Sequence, residues 1–511
     1  MLKSLRVSIS IVLFALITFY FLDISAILPN QFHVLAHIQL VPAILSGSFI
    51  ILAALIILTL LFGRVYCSSI CPMGIYQDIV SWFSKRKIFS KKKKRYKYSK
   101  AKTILRWSVL GATIVTFFLN LPLLLGLIDP YSAYGRMIAN VFKPVYMAGN
   151  NVLESIFTSF GNYTFYKVEI VILSLFAFIA GIVTFLAIGF LAWKYGRTYC
   201  NTICPVGTVL GFLSKFSLFK VRIDENQCNK CGACAGKCKA SCIDSKNHSV
   251  DYSRCVACFN CLDSCSQNAL KFSPSIKNKK QERVETADMS KRQFLMATIT
   301  TAVTVPTVYA QEKAAQLSGT KVPTRQTPIS PPGSQSAKHL LDHCTSCHLC
   351  VSRCPSNVIK PAFMEYGLGG IMQPMMNYEK GFCNYNCTVC ADVCPNGALL
   401  PLTQDEKHML QIGRVTFTQD ICVVHTEETN CGACAEHCPT QAVTMIPYEG
   451  HEGLTIPHTN PDICVGCGGC EYICPVRPHR AIFVEGNKEH HKREAFKEEE
   501  KENIVVDGFG F

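Results

Sequence analysis

The spacing of the cysteines constrains the fold of this chain more than any other feature of its sequence. Of the 29 cysteines, 24 lie in six groups of four, and most groups are spaced C-x2-C-x2-C-x3-C. A tight loop with this spacing aims three thiolates at one [4Fe-4S] cluster, while the fourth cysteine usually binds a neighbouring cluster. We term each group of four a rank. The six ranks predict six clusters, and therefore a protein that transfers electrons.

The first two ranks form a pair spaced like a two-cluster bacterial ferredoxin. In that fold the fourth cysteine of each rank binds the cluster of the other rank. The proline that usually follows the fourth cysteine is absent from both ranks, and Cys242 is left over as a small side chain that needs no function. We predict one cluster on Cys228, Cys231, Cys234 and Cys265, and another on Cys255, Cys258, Cys261 and Cys238.

The remaining four ranks all end in Cys-Pro, and two have a longer gap after the first cysteine, of three residues after Cys383 and eight after Cys422, that keeps the number of ligands. These ranks predict four further [4Fe-4S] clusters. Zinc is the alternative because paired C-x2-C units also form tetrahedral zinc sites, but zinc ligands do not usually repeat as triplets with a Cys-Pro fourth position. The spacing leaves open whether these ranks pair in chain order or nested. Their cysteines are Cys344, Cys347, Cys350 and Cys354; Cys383, Cys387, Cys390 and Cys394; Cys422, Cys431, Cys434 and Cys438; and Cys464, Cys467, Cys470 and Cys474.

Most apolar residues lie before residue 194, although 49% of the whole chain is hydrophobic. They form four runs, and each run is near the length of about 20 residues that a membrane-spanning helix needs. We therefore predict four transmembrane helices. The first run lacks a small-residue cleavage site, so we interpret it as an anchor rather than as a secretory signal. The runs cover residues 8–28, 42–62, 104–126 and 168–193.

Basic residues flank these runs on one side of the predicted bundle. The net charge is +15, and twelve lysines and arginines lie between Lys85 and Arg106, in the loop after the second run. Positively charged loops stay in the cytoplasm, so both ends of the bundle are expected there and the loop at 127–167 is expected outside. A basic loop of this kind indicates topology or contact with lipid headgroups. We expect no binding to nucleic acid.

The apolar half contains an internal repeat. The segments Gly63–Gly74 and Gly196–Gly207 share the pattern G-R-x-Y-C-x2-I-C-P-x-G. This duplication of helix pairs predicts that both C-x3-C-P motifs emerge on the cytoplasmic side, where all four thiols could meet. Three interpretations stay open, namely a seventh iron–sulfur site, two redox-active dithiols, or a structural turn. The thiols concerned are Cys67, Cys71, Cys200 and Cys204.

Polar residues near the predicted outer ends of the helices are candidates for a quinol site. His33 and His37 are one helical turn apart, and Asp129 follows the third apolar run. An imidazole or a carboxylate near its ordinary pKa could accept the protons of a quinol. The simpler interpretation is that these residues are solvated at helix ends, so the catalytic residues stay unassigned.

The mildly apolar segment Phe294–Ala310 separates the first two ranks from the last four. It resembles a twin-arginine export signal, the route for cargo that folds around its cofactor before export, with Lys291-Arg292 in place of two arginines. Its 17 residues reach only about 25 Å as a helix, so a fifth span needs a tilted helix or a thinner bilayer. A domain that stays in the cytoplasm and cleavage after Ala310 are left open. We expect the last four ranks to lie in the periplasm.

The predicted architecture is an α-helical membrane bundle of four spans, with a fifth as an alternative, and two α+β bacterial-ferredoxin-like modules. The tail from Asn487 is charged and is expected to be disordered. The predicted boundaries are 1–215 for the bundle, 216–275 for a cytoplasmic two-cluster module, 276–337 for a linker, 338–485 for a four-cluster module and 486–511 for the tail.

The order of these parts resembles two known families. Residues 1–275, with the repeated C-x3-C-P motif and a two-cluster module, are similar to NapH, the membrane ferredoxin-type protein of periplasmic nitrate reductase systems. Residues 289–485 are similar to its partner NapG. The resemblance implies a natural fusion of the two that acts in the bacterial inner membrane as a quinol dehydrogenase component. It also implies menaquinol or ubiquinol as the electron donor and a periplasmic reductase or multihaem cytochrome as the acceptor.

Two other functions fit the same motifs. Related membrane ferredoxins act in the maturation of metal centres or in redox sensing, where repeated thiol pairs would serve a partner. Transfer from a cytoplasmic ferredoxin across the membrane is the other function. It needs a relay inside an insulating core of about 30 Å, for which the C-x3-C-P thiols are the only candidates. The sequence leaves the terminal reductase, the quinone type and the oligomeric state undetermined.

Overall fold

The computed structural model describes residues 2–23, 28, 30–85, 95–274 and 325–494. Within these ranges the chain forms a helical bundle and two modules built from short antiparallel strand pairs. The predicted export signal with Lys291-Arg292, the cleavage position after Ala310 and the tail from residue 495 lie outside the described residues.

The helical bundle comes first in the chain. Its helices follow the apolar runs of the sequence, because a segment without polar side chains satisfies its backbone hydrogen bonds internally as a helix. A π-helical turn at Ile138–Phe142 joins two of them. The helices are α1 (Leu2–Leu22), α2 (Val34–His37), α3 (Leu40–Leu45), α4 (Phe49–Phe62), α5 (Val65–Ser69), α6 (Pro72–Phe83), α7 (Thr103–Phe118), α8 (Leu123–Ile128), α9 (Pro130–Met137), α10 (Lys143–Ser159), α11 (Leu175–Tyr195), α12 (Thr198–Thr202) and α13 (Pro205–Leu213).

Two of the described helices, α1 and α11, are long and apolar enough to cross a membrane, and each has 21 residues. Helices α4 and α7 are apolar but shorter, and the 14 residues of α4 reach about 21 Å at 1.5 Å per residue. The second predicted span is divided because the chain turns at Gly47, with φ +67°, between α3 and α4. Length and composition thus support two spans, and the four-span bundle stays a prediction.

The two halves of the bundle have the same local structure at the repeated motif. Helices α4 and α11 each end at a glycine with positive φ, Gly63 at +73° and Gly196 at +74°. The amide of each glycine donates to the carbonyl four residues earlier, which closes the last helical turn. A short helix and a longer one follow, α5 and α6 in the first half and α12 and α13 in the second. A proline begins each longer helix, at the position where its missing N–H costs nothing.

The first module is a small α+β unit. Strand β1 (Phe219–Ile223) pairs antiparallel with β4 (Leu270–Pro274), and β2 (Ile243–Asp244) pairs with β3 (Ser249–Val250). One helix, α14 (Ala233–Lys237), lies between β1 and β2 in sequence. Apolar strand residues and cysteines make up its core. Because so short a segment buries little apolar surface, cluster ligation is expected to contribute much of its stability.

The second module contains three antiparallel strand pairs, β5 with β6, β7 with β10 and β8 with β9. In four of its seven short helices the second residue is the third cysteine of a rank, as it is in α14 of the first module. The strands are β5 (Ile359–Pro361), β6 (Pro374–Met376), β7 (Leu410–Phe417), β8 (Val443–Pro447), β9 (Thr455–Thr459) and β10 (Ile482–Lys492). The helices are α15 (Ala337–His343), α16 (Leu349–Arg353), α17 (Val389–Asp392), α18 (Gln404–Met409), α19 (Val423–Thr426), α20 (Ala433–Glu436) and α21 (Gly469–Ile473).

Two boundaries of the second module differ from the sequence prediction. Residues 325–336, assigned to the linker, lie along β10, where the Gly486 amide donates to the Thr327 carbonyl at 3.2 Å. We term residues 325–336 the strap. The prediction of a disordered tail from Asn487 is wrong for 487–492, because β10 continues past an irregularity and His491 pairs with Gln411. Strand β7 supplies a backbone partner that the charged composition of this segment does not reveal.

The two modules contact opposite ends of α1. At its N-terminal end the Lys3 ammonium is 2.8 Å from the Asp263 carboxylate of the first module. Just beyond its C-terminal end Asp23 forms a buried ion pair with Arg353 of the second module. The 21 residues of α1 span about 31 Å at 1.5 Å per residue. The modules therefore lie at the two ends of α1, and their placement on opposite faces of a membrane stays a prediction.

A buried histidine makes the attachment of the strap sensitive to pH. Burial lowers the pKa of His490 to about 4, although a hydrogen bond with the Ser330 backbone raises it, and the His490 Nε2 also lies 2.9 Å from the Ser330 hydroxyl. The unfolded chain takes up this proton below pH 6.5 and the folded chain only near pH 4, so stability falls as the pH falls through this window. Between pH 7 and pH 5 we expect a loss of about 2 kcal/mol.

Hydrogen–deuterium exchange in the strap, corrected for the intrinsic effect of pH on exchange, measures this loss. We expect exchange to accelerate from pH 7 to pH 5 in the natural protein. The variant His490→Gln has no group that titrates at this position and is the control. An equal acceleration in the variant would show that another group is responsible.

Candidate iron–sulfur sites

The first two ranks of the second module exchange their fourth cysteines. Burial raises the pKa of the Cys350 thiol, and its rank neighbours and Cys394 of the following rank raise it further. Burial also raises the pKa of Cys390, and Cys383 and Cys354 raise it further. Three ligands of one rank and one ligand of the other thus converge at each site. Site A denotes Cys344, Cys347, Cys350 and Cys394, and site B denotes Cys383, Cys387, Cys390 and Cys354.

The third and fourth ranks exchange their fourth cysteines in the same way. One cavity is lined by the first three cysteines of the third rank together with Cys474 of the fourth rank. Burial raises the pKa of Cys470, and its rank neighbours and Cys438 of the third rank raise it further. The ranks therefore pair in chain order, which spacing alone could not decide. Site C denotes Cys464, Cys467, Cys470 and Cys438, and site D denotes Cys422, Cys431, Cys434 and Cys474.

The four sites of the second module follow one another. Sites A and B share the first two ranks, and sites C and D share the last two. Sites B and C meet where the Cys383 amide donates to the Cys467 carbonyl at 2.9 Å. Burial raises the pKa of Cys467 to about 12, and Cys464 and Cys383 add to the effect. The order of the sites is thus A, B, C and D, an arrangement suited to stepwise electron transfer.

At one of the two sites of the first module, three cysteines of one rank meet the fourth cysteine of the other rank, as the spacing predicts. A cavity is lined by Cys255, Cys258 and Cys261 together with Cys238 of the preceding rank. The leftover Cys242 also lines this cavity, and its Sγ lies 3.5 Å from the Sγ of Cys238. Cys242 was set aside by the sequence analysis because it belongs to no rank. Site E denotes Cys255, Cys258, Cys261 and Cys238, and site F denotes the predicted set Cys228, Cys231, Cys234 and Cys265.

The loops at these sites fit iron–sulfur clusters. Backbone amides donate to cysteine sulfurs, as from Ser346 to Cys344 at 3.4 Å and from Gly466 to Cys464 at 3.3 Å. Such N–H···S bonds stabilise the negative charge of a ligated cluster and tune its potential. Gly466 adopts φ +75°, and an added Cβ would lie 2.6 Å from the backbone of β7. Within the described residues, no group of His, Cys, Asp and Glu is arranged around a single metal ion.

A buried lysine adjoins site B. The Lys407 Nζ is 3.5 Å from the Cys383 Sγ and also donates to backbone carbonyls of the same loop. Burial raises the pKa of Cys383 to about 11, while the Lys407 charge lowers it. Because reduction adds negative charge to a cluster, this ammonium favours the reduced state. We expect Lys407→Met to lower the reduction potential of site B.

An EPR-monitored redox titration of the full chain measures this potential. The variant Lys380→Met removes an exposed lysine near the same loop, where solvent and salt screen its charge, and is the control. We expect the control to leave the potential unchanged. Equal potentials for natural protein and Lys407→Met would contradict the electrostatic role of this lysine.

All four cysteines of the repeated motif are buried together inside the bundle. Each is 3% exposed, although they come from segments far apart in the sequence. Cys71 and Cys204 each lie close enough to thiols of both halves for their charges to interact. The structure therefore brings together the thiols that the duplication was expected to join. The four-thiol site denotes Cys67, Cys71, Cys200 and Cys204.

Two buried arginines cross between the halves at this site. Arg64 of the first half donates to the Cys200 carbonyl at 3.1 Å, and Arg197 of the second half donates to the Cys67 carbonyl at 2.7 Å. The Arg64 guanidinium also lies 3.8 Å from the Cys67 Sγ. Each arginine thus holds the cysteine segment of the opposite repeat. The sequence shows both in the shared motif, but their exchange between halves depends on the folded chain.

A glycine in each repeat allows this close contact. A Cβ at Gly74 would lie 2.2 Å from the Cys67 carbonyl oxygen, and a Cβ at Gly207 would lie 2.1 Å from that of Cys200. Both distances are far below van der Waals contact. The final glycine of the repeated motif is therefore required because any side chain would displace the cysteine segment.

One carboxylate collects three cations beside the four-thiol site. Asp78 of α6 is 2.8 Å from Arg197, 3.2 Å from Lys239 and 3.3 Å from Arg6. These cations belong to the second half, the first module and α1, so Asp78 ties three separate parts of the chain together. The sequence prediction did not include Asp78. An isolated acidic residue in an apolar helix was the available signal.

The residues suggested for a quinol site occupy two different places. The rings of His33 and His37 are 5.4 Å apart in an edge-to-face arrangement. Asp129 is buried and caps α9, accepting from the Ser132 amide at 2.7 Å and from its hydroxyl at 2.8 Å. Among the residues that the structure describes, its other oxygen and the Tyr131 hydroxyl have no hydrogen-bond partner. Asp129 thus has a structural role, and the quinol assignment of these residues stays a prediction.

Three family models match the chain, and all describe iron–sulfur binding. A 4Fe-4S binding domain matches residues 46–92 and 176–224, which contain the two C-x3-C-P motifs. One 4Fe-4S dicluster domain matches residues 429–477, and another matches residues 251–358. Several iron–sulfur clusters are therefore supported by the sequence models as well as by the convergence of the cysteines.

Similar curated proteins are ferredoxin-type proteins. The chain is 31% identical over 156 residues to the ferredoxin-type protein NapF of Escherichia coli, covering 30% of this chain and 85% of NapF. It is 27% identical over 197 residues to the ferredoxin-type protein NapG of the same organism, covering 36% and 80%. It is 28% identical over 203 residues to the methylamine utilization ferredoxin-type protein MauM of Methylobacillus flagellatus, covering 38% and 84%. No solved structure matches the chain.

Proposed function

Because this chain belongs to the ferredoxin-type family that includes NapF, an iron–sulfur electron-transfer family, we propose that it carries electrons from a membrane bundle to a reductase. Electrons enter the second module at site A, pass through sites B and C, and leave from site D. The donor is quinol in the membrane, and the acceptor is a periplasmic reductase such as nitrate reductase or its multihaem cytochrome. The resemblance to NapH and NapG suggests both partners.

The observation that carries the proposal is the direct contact of site A with the bundle. Arg136 of α9 donates to the Ser346 carbonyl at 3.2 Å, inside the cysteine loop of site A. The Ser132 hydroxyl bonds the Thr345 hydroxyl of the same loop at 2.8 Å. A Cβ at Gly135 would lie 2.3 Å from the Cys347 carbonyl oxygen, so the backbone of α9 touches the loop. Site A is therefore suited to accept electrons from the bundle.

A donor assay on the purified full chain tests this function. Protein reconstituted without air is mixed with a menaquinol analogue, and bleaching of the cluster absorbance is followed. We expect the natural protein to bleach. The variant Cys350→Ser lacks a ligand of site A, so its other clusters are expected to respond to dithionite but not to quinol. If dithionite but not quinol reduces the clusters of the natural protein, quinol is excluded as the donor.

A second candidate donor is a reduced ferredoxin in the cytoplasm. The position of the first module at the opposite end of α1 from the second favours this alternative, because sites E and F would then receive the electrons. The same assay with reduced ferredoxin distinguishes the donors. If neither donor reduces the clusters and no acceptor oxidises them, a role in maturation of metal centres or in redox sensing becomes the better explanation.

A further inference from the structure

We propose that the four-thiol site holds one further iron–sulfur centre, shared between the two repeats, and that this centre passes electrons between site E and site A. The inference rests on the proposed electron-transfer function and extends it. It makes the two modules, which lie at opposite ends of the bundle, parts of a single electron pathway. The ligands are Cys67, Cys71, Cys200 and Cys204, because four thiolates are the usual ligand set of [2Fe-2S] and [4Fe-4S] clusters.

The buried Arg64 indicates that an anion occupies this site. Its side chain is fully buried, and within the described ranges it has no carboxylate partner. Buried charges in proteins are paired or coordinate metals, because an unpaired buried charge is very costly. The Cys67 Sγ, a group able to carry negative charge, lies 3.8 Å from the guanidinium. The structure is thus consistent with ionised, metal-bound thiolates rather than neutral thiols.

Donors aimed at the sulfurs support the same conclusion. The Gly207 amide, in the first turn of α13, donates to the Cys204 Sγ at 3.3 Å. The Gln77 amide group donates to the Cys200 Sγ at 3.1 Å. Cys71 and Cys204 are the N-cap residues of α6 and α13, where the helix dipole stabilises negative charge. Such donors and dipoles accompany ligated cluster sulfurs.

The surrounding charges leave a positive excess for a negatively charged cluster. Arg6, Arg197 and Lys239 share the single carboxylate of Asp78. Together with Arg64 these are four cations beside one shared carboxylate. An anionic centre on four thiolates offsets this excess. A structural turn without a cluster would not require this excess of positive charge.

The four-thiol site is joined directly to the loops of site E. The Arg197 amide donates at 3.0 Å to the carbonyl of Lys239, the residue after ligand Cys238. Arg64 donates at 3.1 Å to the carbonyl of Ser253, two residues before ligand Cys255. The arginines that span the repeats therefore also contact both cysteine segments of site E.

A second set of contacts joins the four-thiol site to site A. Tyr199, next to Cys200 in sequence, donates from its hydroxyl to the Ile128 carbonyl at 2.7 Å. The next residue, Asp129, accepts from Ser132, whose hydroxyl bonds Thr345 in the loop of site A. The four-thiol site thus lies between sites E and A, and each is reached through a few bonded residues. The electron arrives from one neighbouring cluster, reduces the centre by one unit and leaves to the other, without a proton.

Iron and sulfide contents of the full-length protein test the centre itself. The double variant Cys67→Ser/Cys204→Ser is compared with natural protein, both purified without air. The control is Ser69→Thr, which copies Thr202 at the equivalent position of the second repeat. We expect the double variant to lose about one seventh of both iron and acid-labile sulfide for a [4Fe-4S] centre, or a smaller matched amount for [2Fe-2S]. The control should lose none.

Unchanged iron and sulfide in the double variant, or a loss of zinc or copper without sulfide, would overturn the proposal. A single variant, Cys71→Ser, covers the case in which the double variant does not fold. The serine can supply an oxygen ligand in place of the sulfur. One EPR signal is therefore expected to change while those of the other clusters persist. If no signal changes, the thiols do not hold a cluster.

Electron transfer between the modules is tested in sealed liposomes that contain the full-length protein. A membrane-impermeant reductant is added outside, and cluster absorbance is followed before and after detergent opens the vesicles. We expect natural protein to bleach fully before detergent and the double variant to bleach only the clusters of its outer module. Full bleaching of the intact double variant would overturn the bridging role. Natural protein that takes up no electrons even in detergent would instead refute the proposed function.

Discussion

Replacing Cys394 with serine is expected to abolish delivery of electrons from the bundle, although this cysteine belongs to a different rank from the other ligands of site A. Cys394 is the fourth ligand of site A because the ranks exchange their last cysteines. Loss of site A separates sites B, C and D from the bundle. Their clusters should still form and respond to dithionite, but reduction through the bundle should fall to background.

The matched variant is Cys474→Ser, which removes the fourth ligand of site D at the other end of the series. In this variant we expect sites A, B and C to be reduced normally while transfer to an external acceptor is lost. Stopped-flow absorbance with a donor and a soluble acceptor separates the two effects. If both variants lose reduction to the same extent, the order of the four sites is wrong.

Removing the charge of Asp78 is expected to have the largest effect on stability. Three cations converge on this carboxylate, and the Asp78 side chain is only 11% exposed. Breaking a buried ion pair by removing one partner typically costs about 3–5 kcal/mol, because the other charge stays buried without compensation. We expect Asp78→Asn to lower the stability of the full chain by this amount and to loosen the first module from the bundle.

Thermal unfolding in detergent measures the stability, and protease cleavage between the bundle and the first module measures the loosening. The control is Asp263→Asn, which removes the exposed ion pair with Lys3. Exposed pairs contribute about 0–1 kcal/mol. Similar losses in both variants would show that Asp78 is not the residue that holds the three parts together.

The cysteine spacing predicted the composition of the cluster loops well, because ligand spacing is a local property of the chain. Site E, sites A and B, and sites C and D all follow the rule for two-cluster ferredoxins, in which the fourth cysteine of each rank belongs to the site of the other rank. The choice between chain order and nested pairing in the second module was not accessible, because all four ranks carry the same local pattern. Only the exchange of fourth cysteines in the folded chain, with Cys394 beside the first rank and Cys474 beside the third, distinguishes the two arrangements.

Features that depend on distant partners were missed or only partly predicted. The duplicated motif indicated that Cys67 and Cys200 could meet, but not that Arg64 and Arg197 exchange between the halves. The strap has the proline-rich composition of a flexible linker, and its pairing with β10 depends on a strand more than a hundred residues later. The apolar runs predicted helices, but neither the break at Gly47 nor the one between α7 and α8, and the last run is helical only from Leu175. A short turn within an apolar run leaves its pattern of hydropathy almost unchanged.

Mössbauer spectroscopy of the full-length protein, grown with ⁵⁷Fe and kept without air, is the most direct test of iron–sulfur electron transfer. We expect nearly all iron to give the signals of iron–sulfur clusters, and these signals to change to those of reduced clusters when a low-potential donor is added. A protein that carries zinc in place of iron, or iron whose signals stay unchanged on reduction, would contradict an electron-transfer function.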